Sequence, residues 1–237
     1  MTEGRSTGEP LSPLRAAVFA SGGGSNFQAL LDAEMDDPEG APWRTVLLIT
    51  DRDSAGALQR AARAGIDAQV IPVRGRSAED VSVETVEALS AAGIDVIFLA
   101  GYLRLVPAGV VAQWRRRVLN IHPAPLPAFG GKGMWGRHVH EAVIASGARL
   151  TGPTVHFVDE AYDEGRILAQ WPVAVLDGDT PEGLATRVLE AEHRLYPRAA
   201  AHLCRALIEG REPTPLDPQH PHFVSASHPI HPDPPPT

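Results

Sequence analysis

The sequence predicts an α/β domain built around a parallel sheet, and two observations carry that prediction. From residue 15 to about residue 175, short β-branched apolar runs alternate with helical patterns rich in Ala, Leu and Arg. This alternation is typical of successive βαβ units. The chain has 237 residues, of which 43% are hydrophobic, and a chain of this size can bury one large core. We therefore expect one domain, and the sequence shows no internal repeat.

The individual elements follow from the same alternation. Gly65 and Gly93 come directly after helical runs, where glycine commonly ends a helix, and Pro107 suits a first helical turn. Ligands of such sheets bind beyond the carboxyl ends of the strands. We expect site residues in the loops 21–26, 51–54, 101–106, 122–136 and 159–165. Strands are predicted at 15–20, 45–50, 68–72, 95–100, 117–121, 151–158 and 167–175, and helices at 26–34, 54–64, 78–92, 107–114, 137–146 and 181–208.

Composition narrows the class of partner. The net charge of −8 argues against a nucleic-acid backbone as the main partner, because phosphates are neutralised by clustered Lys and Arg. The single cysteine, Cys204, excludes an intrachain disulfide and suits a reducing cytosol. No window approaches the roughly 18 apolar residues that span a bilayer, and the N-terminus has no apolar core resembling a signal peptide. These observations predict a soluble, cytoplasmic protein that binds neither nucleic acid nor membrane.

The C-terminal segment differs in composition from the rest of the chain. Nine of the 22 prolines and four of the ten histidines lie in residues 211–237. Proline at that density disrupts both helices and sheet ladders. We predict an N-terminal extension at 1–14, a catalytic domain at 15–210 and an irregular tail at 211–237.

Three glycines follow the first predicted strand in SGGGSN, residues 21–26. Without Cβ atoms they let a ligand approach the backbone, and Asn26 begins a helix whose free amides and dipole favour an anion. A dinucleotide-binding fold has a ribose-binding acid at the end of its second strand, and Asp51 occupies that position here. However, the glycine-rich motif of that fold requires Gly or Ala at position 27, where this chain has Phe27. The Gly-Lys-Ser/Thr of a P-loop is also missing. The loop predicts a monophosphate site, with a plain tight turn as the alternative.

Asn120 and His122 lie two residues apart at the end of the fifth predicted strand, so both side chains point to one face. An amide offers a neutral N–H to a developing oxyanion, and an imidazole exchanges a proton near neutral pH. Three prolines follow in HPAPLP and stiffen the exit from the strand. The pattern predicts a catalytic pair, with a structural histidine as the alternative.

Four acids lie between the last two predicted strands. For Asp159, Glu160 and Glu164 we favour a solvated turn. A carboxylate beside His122 would favour its imidazolium form and orient the ring, but spacing alone does not select Asp163. His156, inside a predicted strand, is interpreted as a core histidine whose hydrogen bonds are satisfied.

Five segments, SGGGSN, DVIFLAGYLRLV, LNIHPAPLP, TGPTVHFVDEAYDEG and RVLEAEHRLYP, together resemble the folate-dependent phosphoribosylglycinamide formyltransferases of the formyltransferase superfamily. The match runs in order over about residues 15–200, and Asn-x-His-Pro with the later Asp-bearing turn is highly specific. The resemblance implies a Rossmann-like fold with a seven-stranded, mainly parallel sheet and helices on both faces. It implies an enzyme of purine synthesis that transfers the formyl group of 10-formyltetrahydrofolate, as co-substrate, to the amine of glycinamide ribonucleotide.

The resemblance also implies residue roles. Asn120 and a protonated His122 would stabilise charge on the formyl oxygen, and Asp163 would keep His122 charged and help to relay the amine's proton. The phosphate end of the acceptor would lie at Gly24, Ser25 and Asn26, with Glu192 at its ribose or glycinamide part. The folate pocket would be formed by Leu103, Arg104, Leu105, Val106, Asn120, Asp159, Glu160, Ala161, Tyr162 and Asp163.

One loop departs from the family pattern. The segment AFGGKGMWGRHVHEA carries Gly130, Gly131, Lys132 and Gly133 where the family usually has proline or lysine. Two interpretations stay equal: a mobile flap over the substrate, or a fixed loop packed through its Met and Trp, residues 134–135. The family's folate-contacting arginine after the third strand is also undecided here between Arg74 and Arg76.

Several alternatives concern partners and function. We expect no metal, because neither His138 with His140 nor His220 with His222 is completed by a carboxylate or cysteine at recognisable spacing. The partners are small molecules, and a homodimer is left open. The rival functions are a formyltetrahydrofolate deformylase, a methionyl-tRNA formyltransferase and a non-catalytic folate or nucleotide binding module.

Overall fold

A computed structural model describes residues 12–37, 40–159 and 163–216. The strands are β1 (Leu14–Phe19), β2 (Trp43–Thr50), β3 (Asp67–Val70), β4 (Val96–Leu99), β5 (Val118–His122), β6 (Leu150–Thr151), β7 (Thr154–Phe157), β8 (Ile167–Gln170) and β9 (Val173–Ala174). The helices are α1 (Ser25–Asp36), α2 (Ala57–Ala64), α3 (Ala78–Ala91), α4 (Ala108–Gln113), α5 (Arg137–Ala145) and α6 (Pro181–Ile208).

The main sheet has seven strands in the order β3-β2-β1-β4-β5-β7-β8. Strands β1 to β5 are parallel, and β7 and β8 are antiparallel to their neighbours. The chain builds outward from β1 in one direction through β2 and β3, and then in the other through β4 and β5. The strand order therefore reverses between β1 and β4, and the crevice at such a reversal is where open α/β sheets bind ligands. The predicted seven-stranded, mainly parallel sheet is confirmed.

Apolar side chains cover both faces of the sheet. In β1, Ala16 and Val18 pack in one cluster with residues of α1, α2 and α6, whereas Ala17 and Phe19 pack in a second cluster with residues of α3 and α4. Alternate strand residues point to opposite faces, so a strand buried on both sides is apolar throughout. The prediction of helices on both faces is confirmed.

Two predicted strands are wrong in their extent. The single strand predicted at 151–158 is divided into β6 and β7, and the one at 167–175 is divided into β8 and β9; β6 and β9 pair in a small sheet of their own. Pro153 and Pro172 have no N–H to donate to a ladder. Gly152 also packs so tightly that a Cβ would lie 1.8 Å from the carbonyl oxygen of Trp171. Pro107 precedes the first residue of α4 instead of lying inside it.

The start of the predicted tail lies against the domain. Residues 211–216 are irregular, as predicted, and the amide of Leu216 donates to the carbonyl of Leu168 in β8 at 2.8 Å. Glu212 forms ion pairs with Arg116 and Arg166. The rest of the predicted tail and residues 1–11 of the predicted extension lie outside the described residues. No helix in the described part of the chain combines the length and hydrophobicity needed to cross a membrane.

Candidate active site

A cavity of about 850 Å³ opens at the carboxyl ends of β1, β4 and β5. Its walls are the segments 101–106, 120–123 and 131–137 together with the first three turns of α6. The volume lies within the range of small-molecule and cofactor pockets. The predicted loops 21–26, 101–106, 122–136 and 159–165 each contribute to it, as the parallel sheet requires.

Asn120, His122 and Asp163 meet in this cavity. Asn120 and His122 lie on the same face of β5, and β7 runs antiparallel beside them. Asp163 comes from the turn between β7 and β8 and has a φ of 58°, a left-handed conformation that Asp tolerates better than most residues. Its Oδ2 lies 3.6 Å from Nδ1 of His122. The three groups assigned to catalysis by resemblance are therefore neighbours.

The contacts of His122 indicate which ring nitrogen carries a hydrogen and how its pKa is shifted. Its Nε2 lies 2.8 Å from the carbonyl oxygen of Phe129, and because a carbonyl only accepts, Nε2 carries a hydrogen. Nδ1 then faces Asp163. Burial lowers the pKa of His122 below its ordinary value, although the charge of Asp163 and the Phe129 carbonyl act in the opposite direction. Desolvation of His122, which is only 4% exposed, therefore acts against the charged form that the resemblance implies, and the nearby carboxylate of Asp163 acts in favour of it.

Asp163 itself is held as a carboxylate. Burial alone would raise its pKa, but the proximity of His156 and His122 and the hydrogen bond from the Gly131 amide lower it below its ordinary value. The Gly131 amide donates to Oδ2 at 2.9 Å, and Nε2 of His156 lies 3.5 Å from Oδ1. The cavity therefore contains a fixed negative charge next to a neutral imidazole.

His156 belongs to this cluster, which the sequence interpretation missed. It is buried and hydrogen-bonded as predicted, but it lies directly across the sheet from Asn120, and Nδ2 of Asn120 is 3.0 Å from its Nε2. Its Nδ1 is 2.8 Å from the carbonyl oxygen of Phe157 and so carries the hydrogen. Nε2 then accepts from the Asn120 amide and orients it, which leaves the second amide hydrogen for a ligand. The contact between His156 and Asn120 could have been predicted only from the pairing of these two residues in neighbouring strands.

The glycine turn after β1 divides into two parts. Gly24 has a φ of 71°, and a Cβ there would lie 2.9 Å from the Cβ of Ala57 in α2. At Gly22 and Gly23 a Cβ would meet nothing within 4 Å. Gly24 is thus required by backbone conformation and packing, whereas the two glycines before it present open backbone next to the first amides of α1, which have no partner within the helix.

Asn26 and Glu192 meet at the same end of the cavity. Nδ2 of Asn26 donates to Oε2 of Glu192 at 2.5 Å, and Oδ1 of Asn26 is buried with no hydrogen-bond partner among the described residues. Burial raises the pKa of Glu192 to about 7, although the Asn26 bond acts against it. One turn further along α6, the hydroxyl of Tyr196 reaches the carbonyls of β4 and β5 and fixes the helix. Ser25 instead lines a second cleft, between α1, α2 and α6.

The predicted folate segment, residues 103–106, lines the same cavity. Leu103 and Leu105 are exposed, whereas Val106 is buried in the core. Nε of Arg104 donates to Oδ2 of Asp51 at 2.8 Å. Burial would raise the pKa of Asp51, but Ser21, Arg104 and Arg52 lower it below its ordinary value. Asp51 is therefore a structural partner of the segment 101–106.

The structure describes only some of the remaining predicted folate residues. Asp159 lines the cavity, whereas Glu160, Ala161 and Tyr162 lie outside the described residues. Arg74 and Arg76 are not among the described residues that line the cavity, and Arg76 pairs with Glu84 at 2.5 Å.

The glycine-rich loop is anchored differently from either prediction. Its first residues bond to His122 and Asp163, and Trp135 is 52% exposed. His140, at the start of α5, is another cavity residue that the sequence interpretation did not assign: it is 4% exposed, and its Nδ1 has no partner among the described residues. Burial, aided by nearby His122, lowers the pKa of His140.

The metal alternative has no structural support in the described residues. Within residues 12–37, 40–159 and 163–216, no group of three or more His, Cys, Asp or Glu side chains is arranged to hold an ion. His138 pairs with Glu141 on its own helix, at 3.3 Å. His220 and His222 lie outside the described residues.

Comparison with known proteins places this geometry in a family. The model of the formyl transferase family matches residues 14–200. The chloroplastic phosphoribosylglycinamide formyltransferase of Arabidopsis thaliana is 47% identical over 84% of this chain and 68% of its own length. The trifunctional purine biosynthetic protein adenosine-3 of Drosophila melanogaster is 41% identical over 80% of this chain and 14% of its own length.

Solved structures agree with these relatives. The crystal structure of phosphoribosylglycinamide formyltransferase from Brucella melitensis superimposes with a TM-score of 0.74 at 44% identity, covering 81% of this chain and 96% of that one. The chain therefore belongs to the formyl transferase family.

Proposed function

We propose that this chain is a phosphoribosylglycinamide formyltransferase, which transfers the formyl group of 10-formyltetrahydrofolate to the amine of glycinamide ribonucleotide in purine biosynthesis. The observation that carries the proposal is the meeting of Asn120, His122 and Asp163 in the same cavity as the glycine turn and Glu192. That arrangement supports acyl transfer, because a glycine turn suited to an anion and a segment suited to folate line the same cavity as the three groups. The relative from Arabidopsis thaliana and the solved structure from Brucella melitensis carry this name.

The acceptor binds at the end formed by the glycine turn and α6. Its phosphate lies against the open backbone of Gly22 and Gly23 and the first amides of α1, where the helix dipole favours an anion. Gly24, Ser25 and Asn26 form this subsite. Glu192 and the unpartnered Oδ1 of Asn26 then accept hydrogen bonds from the ribose or glycinamide part.

Asn120 stabilises the transition state. As the amine nitrogen bonds to the formyl carbon, negative charge develops on the formyl oxygen. The Asn120 amide has one hydrogen committed to His156 and offers the other to that oxygen. A donor oriented in this way contributes about 3–4 kcal/mol in other acyl-transfer sites.

His122 and Asp163 move the proton. Burial keeps the His122 ring neutral near pH 7, so its Nδ1 is available to accept a proton from the attacking amine. The carboxylate of Asp163, 3.6 Å away, stabilises the imidazolium that results. His122 then returns the proton to the folate nitrogen as the bond between that nitrogen and the formyl carbon breaks. The formyl group and one proton have then exchanged places.

The donor binds along Leu103, Arg104, Leu105 and Val106. Exposed apolar side chains at this edge suit a flat ring system, and Arg104 adds a cation that Asp51 holds in place. Asn120, Asp159, Glu160, Ala161, Tyr162 and Asp163 complete the proposed folate pocket. The reaction as proposed uses no metal, because the formyl group is already activated on its nitrogen.

The experiment is an assay of the purified chain with 10-formyltetrahydrofolate and candidate acceptors, with EDTA present and no ATP. We expect formylation of glycinamide ribonucleotide. Release of formate without an acceptor would assign the deformylase reaction, and formylation of methionyl-tRNA would assign the other rival. Turnover only with ATP and free formate would indicate an unrelated ligase reaction. Tight binding of both substrates without turnover would indicate a non-catalytic binding module.

We also propose a cytoplasmic location, because the free thiol of Cys204 suits a reducing compartment. The Arabidopsis relative is named as chloroplastic, so cell fractionation in the source organism decides the question. A homodimer is proposed as the assembly. Light scattering at working concentration would show twice the chain mass of 25.3 kDa if this is right.

A further inference from the structure

The segment Phe129–Gly131, which we call the backbone clamp, touches both proton-handling residues through main-chain atoms. The Phe129 carbonyl accepts from Nε2 of His122 at 2.8 Å. Two residues later, the Gly131 amide donates to Oδ2 of Asp163 at 2.9 Å. The carbonyl and the amide thus reach the two members of the His122–Asp163 pair from one short stretch of chain.

The residue between these two contacts leaves no room for a side chain. A Cβ at Gly130 would lie 2.5 Å from Cδ2 of Leu126 and 3.3 Å from the Cβ of Asp163. The clamp therefore packs directly on the backbone end of Asp163. A substitution at this position would have to displace the Leu126 side chain and would press on Asp163.

The conformation of Phe129 is unusual for a bulky residue. Its φ is 57°, in the left-handed region that disfavours side chains of this size. Such conformations persist only where the surrounding structure determines them, and they are concentrated at functional sites. The Phe129 ring packs against Val143, Val175 and Leu184, which holds the residue in place. This conformation turns the carbonyl toward His122.

We propose that the backbone clamp is the positioning element of the catalytic pair: it fixes which nitrogen of His122 carries the hydrogen, and it holds Asp163 opposite the other nitrogen. The inference deepens the proposed function and rests on it. The start of the glycine-rich loop is then part of the rigid site, whatever the later residues of that loop do. Within the backbone clamp, the N–H of Gly131 bonds to Asp163, and the absence of a Cβ at Gly130 allows the close packing.

Main-chain contacts are tested by replacing single amide bonds with esters. Glycolic acid at position 130 turns the Phe129 carbonyl into an ester carbonyl, a weaker acceptor for His122. Glycolic acid at position 131 removes the N–H that bonds Asp163. The matched control is the same replacement at Gly178, which also has a positive φ and open space around it but lies outside the cavity.

Each clamp ester should lower kcat about tenfold or more with little change in the KM of either substrate, because a small misplacement of reacting groups is costly. The control should stay within about twofold of the wild type. Titrations by NMR give a readout that does not depend on turnover. The ester at 130 should lower the pKa of His122, and the ester at 131 should raise the pKa of Asp163, since each removes a bond that favours the charged form.

The outcomes separate this inference from the proposed function. If the wild type does not transfer formyl but the two pKa values move as stated, the clamp holds the pair and the proposed reaction is wrong. If the clamp esters match the control in kcat and leave both pKa values unchanged, the inference is overturned. Equal losses in all three esters would also overturn it, because the effect would then be a general consequence of backbone substitution. Circular dichroism and Tm identify an ester that fails to fold. In that case Gly130→Ala provides a second variant. We expect this variant to lose kcat, and an unchanged kcat would contradict the role of the clamp.

Discussion

Two carboxyls that line one cavity, Asp163 beside His122 and Glu192 beside Asn26, have pKa values shifted in opposite directions. Asp163 is surrounded by two histidines and a backbone N–H, and its pKa is lowered despite burial. Glu192 has one neutral amide partner, and burial raises its pKa to about 7. Both line the same cavity. The difference has two causes: Glu192 is more deeply buried and has one neutral partner, whereas Asp163 is only partly buried and has several polar partners.

This difference suits the two carboxyls to different tasks. A carboxylate that stays charged can stabilise a transient imidazolium, which is what proton relay through His122 requires. A carboxyl that holds its proton to near neutrality can donate as well as accept, which suits recognition of hydroxyl and amide groups. Four predictions test this contrast.

The largest effect is expected at the charged carboxyl. Asp163→Asn keeps the shape of the side chain but removes its charge, so the imidazolium loses its stabilising partner. We expect kcat to fall about a hundredfold or more, as is typical for loss of acid–base catalysis, with KM for both substrates changing little. Steady-state kinetics measure both. His122→Ala should behave in the same way.

Glu164→Gln provides the control, because Glu164 is exposed and neighbours Asp163 in the turn. Equal losses in binding and turnover at Asp163 would reassign this residue to substrate recognition.

The second effect concerns the influence of the other carboxyl on stability. The folded-state pKa of Glu192 is raised above its ordinary value of 4.5 to about 7. Between these values the unfolded chain ionises Glu192 while the folded chain keeps it protonated, so the unfolded state binds fewer protons and stability falls as pH rises. Above pH 7 this costs about 3 kcal/mol of the free energy of unfolding.

Glu192→Gln should remove this cost. Urea titrations at pH 5 and pH 8 should show that the wild type loses more stability over this interval than the variant. The exposed neighbour Glu190 gives the control Glu190→Gln, which should follow the wild type. A variant whose stability falls with pH as steeply as that of the wild type would contradict the raised pKa.

The third effect is on acceptor binding. In the proposed function Glu192 contacts the ribose or glycinamide part, and the amide of Glu192→Gln replaces only part of its hydrogen bonding. The KM for glycinamide ribonucleotide should rise about tenfold, which corresponds to about 1.4 kcal/mol, with kcat nearly unchanged. A fall in kcat as large as that of Asp163→Asn would show that the two carboxyls are not separate in function.

The smallest effect is expected from the amide partner. Asn26→Ala removes the one hydrogen bond that favours the charged form of Glu192, so the pKa of Glu192 should rise further. The free energy of unfolding should fall by about 1 kcal/mol, the net value of a single hydrogen bond. NMR titration and urea unfolding measure these quantities. An unchanged pKa would mean that Asn26 does not influence Glu192.

The sequence predicted the sheet well because strand burial leaves a strong pattern. Runs such as AAVFA, residues 16–20, are apolar throughout since both faces of the sheet are covered. The errors at 151–158 and 167–175 came from continuing each strand through a proline. Pro153 and Pro172 each mark a point where a ladder bond is lost, and they could have divided these strands in advance.

The site was predictable only in part. Asn120 and His122 are two residues apart, so their shared face follows from strand geometry. Asp163 was selected by resemblance alone, because its approach depends on a left-handed turn and on a hydrogen bond from Gly131. His156 was correctly interpreted as a core histidine, but its contact with Asn120 was missed because the pairing of β5 with β7 cannot be read from spacing. The contact between the Phe129 carbonyl and His122 could not be predicted from the sequence, because every residue has the same main-chain carbonyl group.

The assignment of roles depends on the charge difference between Asp163 and Glu192. Its most direct test is a carbon-13 NMR titration of the side-chain carboxyls in the wild type, with Asp163→Asn and Glu192→Gln used to assign the two resonances. We predict that Asp163 titrates below its ordinary pKa and that Glu192 titrates near pH 7. Two carboxyls that both titrate at their ordinary values, or in the reverse order, would contradict the account.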